Sequence, residues 1–292
     1  MLLLAPAMPV HFCAEVSSNH ARDLTRCLAF VDAAADAGCD SVKFQLFKVD
    51  ALFAPEILER SERHRARRDW EFPLALLAPV AEHCAARGIQ FACTPFYLEA
   101  VAELAPYVAF YKIASYELLW DALLIACART GKPVVLSTGM ADLHEITHAV
   151  GVLRGANASA IRLLHTVSAY PTPPAEANLA SIDIIRRATW CPVGWSDHTV
   201  NPGVIHRAIH RWGAGFIEFH LDLDETGAEY ASGHCWLPGQ IAPVIAAVRA
   251  GEAADGSGLK TAAPSELADR DWRADPEDGL RPLRHVRADW TP

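Results

Sequence analysis

The chain has 292 residues, 51% of them hydrophobic, and a formal net charge of −9. That is enough apolar material for a sizeable core, and the acidic balance argues against a protein built to grip nucleic acid. Eight cysteines without a C-x-x-C pair, several inside apolar runs (Cys13, Cys93, Cys191), read as reduced, buried thiols of a cytoplasmic protein rather than a disulfide framework or a zinc knuckle.

The opening MLLLAPAMPV lacks a basic n-region and is too short to span a bilayer, so it is read as the lead-in to the first strand. No later segment has the length and apolarity of a membrane helix. From there, short β-rich runs alternate with Ala/Leu-rich segments of helical period. The strand candidates, in order, are PVHFCAEV, SVKFQLF, IQFACTPF, FYKIAS, PVVLSTG, AIRLLHTVS, CPVGWSD and GFIEFHLDL. Helical segments such as LTRCLAFVDAAADAG and LALLAPVAEHCAARG end in Gly38 and Gly88, residues suited to a left-handed cap. Strand–helix alternation implies parallel strands with right-handed crossovers, and eight such units predict an α/β fold, a (β/α)8 TIM barrel, over residues 1–250. No GxGxxG follows the first strand, which weakens a dinucleotide-binding fold.

Three stretches depart from the rhythm. RSERHRARRDW (Arg60 to Trp70) is basic and reads as a solvated helix face or loop, or as a rim that attracts anionic substrates. HEITH (His144 to His148) matches the zinc-protease signature, but Arg154 stands where a third histidine is needed, so it is read as the helix after strand five. Residues 251–292 are polar, rich in Gly, Pro and Asp, and read as a tail that packs on the barrel or on a partner subunit.

Each strand carries its polar residues toward its C-terminal end. They are Glu15, with Asn19 and His20 after it; Lys43 and Gln45; Thr94; Lys112, Ser115 and Glu117; Ser137 and Thr138; His165, Ser168 and Tyr170; Ser196, Asp197 and His198; Glu218 and His220. One such residue alone would be an ordinary loop cap. Eight strands repeating it predict one shared site at the face where a barrel holds its active site. Lys43 and Lys112, with the hydroxyls of Thr94, Ser115, Ser137, Ser168 and Ser196, predict a cationic, donor-rich cup that suits a phosphate plus a carboxylate. His198 and His220, on adjacent strands, are candidates to share one divalent ion. Glu15 is a candidate general base or water-orienting carboxylate. His165 is assigned a structural role.

The stretches AEVSSNH, AGCDSVKFQLFK, GIQFACTPF, YKIAS, GKPVVLSTGMADLHEI, LLHTVSAYPTPPAEANL, VGWSDHT and IEFHLDLDETG are collinear over about residues 10 to 240. Together they resemble the sialic acid (N-acetylneuraminate) synthase family, with its legionaminate, pseudaminate and spore-coat relatives. The resemblance implies phosphoenolpyruvate, an open-chain amino sugar or aldose aldehyde, and a divalent metal, Mn2+ first and Mg2+, Co2+, Zn2+ or Fe2+ as alternatives. It assigns phosphoenolpyruvate contacts to Lys43, Thr94, Lys112, Ser115, Ser137, Ser168, Tyr170 and Ser196, and metal ligation to His198 and His220. Glu15 matches the catalytic carboxylate, and Glu218 joins it with Lys43 and Lys112. Gln45, Glu117, Asp197 and Glu229 complete the substrate-contacting set. The resemblance also implies a homodimer.

Two departures concern the sugar half of the site. The family's Asp-His pair after the last strand appears as Glu229-Tyr230, and Phe219 replaces a basic residue. The residues after 250 are not expected to form the small C-terminal antifreeze-like domain of relatives, and the Arg-rich tail is read as a candidate substitute. Other readings are a Schiff-base aldolase on Lys43 or Lys112, and a non-catalytic sugar-binding barrel. A heptulosonate-phosphate synthase is disfavoured. That chemistry takes a Cys among its metal ligands, and no strand-end Cys sits beside His198 or His220, Cys235 being the only nearby thiol.

Overall fold

The computed structural model describes residues 9–287 and Thr291; the lead-in at residues 1–8 and tail residues 288–290 and 292 lie outside the described residues. Each of the eight predicted strand runs contains a strand. They are β1 (His11–Ser17), β2 (Ser41–Leu46), β3 (Gln90–Pro95), β4 (Phe110–Ile113), β5 (Val134–Ser137), β6 (Ile161–His165), β7 (Val193–Asp197) and β8 (Phe216–Leu221). All neighbours pair in parallel, and β1 pairs with β8, so the sheet closes. Eight long helices alternate with them: α1 (Leu24–Asp36), α2 (Leu77–Ala86), α3 (Leu98–Leu104), α4 (Asp121–Arg129), α5 (Leu143–Gly155), α6 (Ser181–Thr189), α7 (Pro202–Trp212) and α8 (Pro238–Ala254). The architecture is the (β/α)8 barrel that the alternation predicts.

The two-residue strand period sorts the side chains. Outward residues such as Phe12, Val42 and Ile113 join the large core under the helices. Inward, Cys13, Ala92, Phe110, Val135, Leu164 and Phe216 form a separate apolar cluster inside the barrel. Two positions on from each stand Glu15, Thr94, Lys112, Ser137, Thr166 and Glu218, all buried. A polar layer therefore lies directly above an apolar plug, one strand period nearer the C-terminal ends.

Two sequence features that were ambiguous acquire a place. In HEITH, Glu145 accepts from the backbone N–H of Asp142 (2.9 Å) while Asp142 accepts from that of Glu145 (2.9 Å), the capping box of α5. His148 turns to Asp121 (3.0 Å) on the surface. The basic stretch forms short helices, Pro55–Arg60 and Glu62–Arg65, and a 3-10 turn, Ala66–Trp70, inserted between β2 and α2. A ninth strand, β9 (Cys235–Trp236), pairs with the end of β8 and sets Cys235 opposite His220. The sequence reading did not foresee β9, because two residues carry no period.

The chain divides into two compact units between Ala250 and Gly251. The second contains two 3-10 turns and a short helix, Arg284–Arg287. Its Arg284 and Arg287 bind Asp278 within the same unit (3.3 and 2.9 Å). Those two guanidinium groups are thus already engaged locally. No helix among the described residues is long and apolar enough to cross a membrane.

Candidate active site

Strand register brings four charges together on the apolar plug. Glu15 lies opposite Lys43 on one side and His220 on the other, and Ser196 lies opposite Glu218. Lys43 Nζ is 2.7 Å from Glu15 Oε2 and 3.7 Å from Glu218 Oε1; Lys112 Nζ is 3.6 Å from the same Glu218 oxygen. All four side chains are almost wholly buried. Burial pushes the Lys43 pKa down, but Glu15 and Glu218 outweigh it and hold the ammonium charged. For Lys112, burial wins over the attraction of Glu218 and lowers the pKa. Burial opposes ionisation of Glu218, yet Lys112 and Lys43 carry its pKa below the usual carboxylate range. Gln45 Nε2 donates to Glu15 Oε1 (2.7 Å) and fixes that carboxylate.

Beside this layer lies a cradle of donors. The N–H of Gly139, just past β5, donates to Ser115 Oγ (3.0 Å). A Cβ on Gly139 would stand 2.3 Å from Ser168 Oγ and 2.9 Å from Ser115 Oγ, so the space exists only because residue 139 is glycine. Ser168 Oγ is buried without a partner. An oxyanion placed there would meet the hydroxyls of Ser115 and Ser168.

Two chambers open at this face. The inner one, about 60 Å³, is lined by Glu15, Lys43, Lys112, Ser115, Ser137, Thr166, Ser196, His198 and Glu218. The outer one, about 780 Å³, has an apolar wall of Phe47, Leu52, Phe53, Trp70 and Phe96, with Arg63 and Arg67 from the basic insertion. Gln45, Ala114, Tyr116, Tyr170 and His220 line both. Glu117, in the outer chamber, has its pKa raised to about 7 by burial against the opposing pull of Lys112 and Lys43.

Where the chambers meet, imidazoles gather. His198 and His220 have ring centroids 5.3 Å apart, and His220 and His234 4.7 Å. His198 Nδ1 bonds the Val167 carbonyl (2.8 Å). Burial, then the neighbouring His220, lowers the pKa of His198 to about 3 and of His234 to about 4. Both are therefore neutral near pH 7, the form that offers a lone pair to a metal. Donor atoms of His220, Glu229, His234 and Cys235 all lie within 4.8 Å of one another. Nδ1 of His220 and Nδ1 of His234 are buried and make no hydrogen bond. A divalent ion would satisfy both, so these residues fit the metal that the resemblance implies.

Other predicted residues serve the protein itself. Asp197, expected among the substrate contacts, is fully buried. It accepts from the indoles of Trp195 and Trp236 (3.0 Å each) and from Thr199 and Val200. It anchors the loop after β7. Thr94 accepts from Lys43 Nζ (3.2 Å) and positions that lysine. His165 bonds the Ala177 carbonyl (2.9 Å), the structural role expected of it. Tyr170 covers His198 at 4.2 Å between ring centroids. Sequence reasoning missed His234, Tyr116, Gly139 and the aromatic wall. It also placed Cys235 apart from the histidines, whereas β9 brings its thiol beside His220. The His234-Cys235 dipeptide in the segment after the last predicted strand was the available signal.

A family model described as the NeuB family matches residues 30–260. An uncharacterised protein of Methanocaldococcus jannaschii is 35% identical over 88% of this chain and 75% of its own length. The N,N'-diacetyllegionaminic acid synthase of Campylobacter jejuni is 33% identical over 87% of this chain and 79% of its own. Among solved structures, the N-acetylneuraminic acid synthetase of Leptospira borgpetersenii superposes with a TM-score of 0.77 at 29% identity, covering 90% of each chain. By the family match and these relatives, the chain belongs to the NeuB family.

Proposed function

We propose that the protein joins the methylene carbon of phosphoenolpyruvate to the carbonyl carbon of an open-chain amino sugar or aldose, giving a nonulosonate-type 2-keto acid and phosphate. The observation that carries this reading is the buried Lys43–Glu15 and Lys112–Glu218 layer beside the Gly139–Ser115–Ser168 cradle, opening into a larger chamber through the histidine cluster. Lys43, Lys112 and the hydroxyls of Ser115, Ser137 and Ser196 neutralise and orient the phosphate and carboxylate of phosphoenolpyruvate. Tyr170 closes over the enol face. His198 and the His220 cluster would hold a divalent ion, which when bound would supply Lewis acidity toward the aldehyde.

The balance is simple. The enol carbon forms the new C–C bond, and the aldehyde oxygen takes up a proton, for which Glu117 is placed in the outer chamber. A water, directed by Glu15 and its partner Gln45, adds to C2 of the former enol. Cleavage of the C2–O bond expels phosphate, and loss of the new hydroxyl's proton leaves the ketone. The apolar wall suits N-acyl groups, and Arg63 and Arg67 suit an acidic substituent on the acceptor. We further propose a homodimer in the cytoplasm; sedimentation tests its mass.

The test is phosphate release from phosphoenolpyruvate with a divalent metal across N-acetylmannosamine, mannose, their 6-phosphates and di-N-acetylated hexoses, with EDTA and His198→Ala as controls. Metal-dependent release with one sugar supports the reading and names the acceptor. No release, together with no phosphoenolpyruvate binding, would overturn it. One observation favours a second reading: burial lowers the pKa of Lys112, as a Schiff-base aldolase needs. Borohydride trapping with pyruvate decides, since absence of a mass adduct on Lys112 removes the aldolase.

A further inference from the structure

We propose that this chain holds its metal through a sulfur-containing set, His220, Glu229, His234 and Cys235, an inference that rests on the metal-dependent reading of the site and names its ligands. Two members are set by backbone pairing. β9 lies alongside the end of β8 with Cys235 in register with His220, so the thiol and the imidazole are held side by side before any ion arrives. His234 immediately precedes β9. Glu229 sits on the short helix Ala228–Ala231 that leads into it.

The donor atoms are mutually within 4.8 Å. A four-coordinate ion with bonds of about 2.0 to 2.3 Å would hold its ligand atoms roughly 3.3 to 3.8 Å apart, so a contraction of about 1 Å brings the four donors to bonding distance, with expansion to five-coordinate admitting a substrate oxygen. The contacts among the four are long, a weak thiol–carboxylate hydrogen bond included. His220 Nδ1 is 3.6 Å from Glu229 Oε2, and Cys235 Sγ is 4.0 Å from the same oxygen. His234 is 93% buried, since only 7% of its surface is exposed, yet its Nδ1 has no hydrogen bond. Such a nitrogen carries an uncompensated desolvation cost, which a metal bond removes. Among the described residues this is the one cluster of its kind.

The composition of the set has chemical consequences. One thiolate, two imidazoles and a carboxylate favour Zn2+, Fe2+ or Co2+, whereas Mn2+ and Mg2+ prefer oxygen-rich shells. His198 is not one of the four mutually close residues, but its Nδ1 bond to the Val167 carbonyl leaves Nε2 available to share the ion from the inner-chamber side. His220 lines both chambers, so an ion held there would lie where an aldehyde carbon from the outer one meets an enol carbon from the inner one.

The experiment is a titration of the chelator-stripped full chain with Co2+, without phosphoenolpyruvate or sugar, followed by near-ultraviolet absorption and metal analysis. The expected result is one equivalent of cobalt with a sulfur-to-cobalt charge-transfer band. Cys235→Ser removes the band and weakens binding about tenfold or more, while His234→Gln weakens binding similarly and keeps the band. Circular dichroism checks that both variants fold, and the wild-type spectrum decides even if they do not. Stoichiometric cobalt without a sulfur band, or a band that survives Cys235→Ser, overturns the proposal. If phosphate release is metal-dependent but the cobalt protein lacks the band, the ligand set is wrong and the synthase reading stands. A sulfur band on a protein that never turns over phosphoenolpyruvate supports the ligand set and removes the synthase reading. Absence of any cobalt binding removes both.

Discussion

Replacing Glu117 with glutamine is expected to stabilise the unliganded, metal-free protein above pH 7 and to leave it unchanged below pH 4.5. Glu117 is buried, its Oε2 makes no hydrogen bond, and desolvation raises its pKa from 4.5 to about 7. The unfolded chain keeps the ordinary value. Between pH 4.5 and 7 the unfolded chain has released a proton that the folded chain retains, so stability falls as pH rises through that window. The full loss, from the distance between the two values, is about 3 kcal/mol, or roughly 5 °C in Tm for a chain of this size. Glutamine cannot ionise and does not incur it. Scanning calorimetry of both proteins from pH 4.5 to 8.5 in EDTA should show the variant's advantage opening across the window and then levelling. Parallel curves over the whole range would refute the burial argument.

Lys43→Met leaves Glu15 and Glu218 buried without their shared cation, and is expected to cost about 3 to 5 kcal/mol of stability and to abolish phosphoenolpyruvate binding by calorimetric titration. Unchanged affinity would place the substrate elsewhere. Gly139→Ala puts a methyl group into the donor cradle, so phosphoenolpyruvate affinity should fall about tenfold or more while the circular dichroism spectrum is preserved. Asp197→Asn should lower Tm, because hydrogen bonds to a buried carboxylate are worth about 1.5 to 3 kcal/mol each, yet leave the KM for phosphoenolpyruvate unchanged. A selective rise in KM with unaltered Tm would return Asp197 to the substrate.

The barrel was legible because its strands are buried on both faces and read as apolar runs, each closed by polar residues. The charged layer was legible for the same reason, since Glu15, Lys43, Lys112 and Glu218 interrupt those runs. Partnership was not. Asp197 and Lys43 look alike as strand-end charges, and only folding shows that two indoles claim one while an open chamber meets the other. The insertion with Arg63 and Arg67 lacks an amphipathic period, so nothing local says which guanidinium turns inward. β9 is set by the neighbouring β8 rather than by its own two residues, which hid Cys235 and His234.

The shared wall between the chambers carries a consequence for traffic. The inner chamber is sealed below by the Cys13, Phe110 and Phe216 layer, and its way out runs past Gln45, Tyr116, Tyr170 and His220, which also border the outer one. Whatever occupies the inner chamber must therefore arrive first and depart last. An aldehyde seated too early bars the door, so excess sugar should inhibit turnover and added phosphoenolpyruvate should relieve it. An aldehyde seated second locks phosphoenolpyruvate in, so labelled phosphoenolpyruvate bound beforehand should pass to product rather than exchange with the pool.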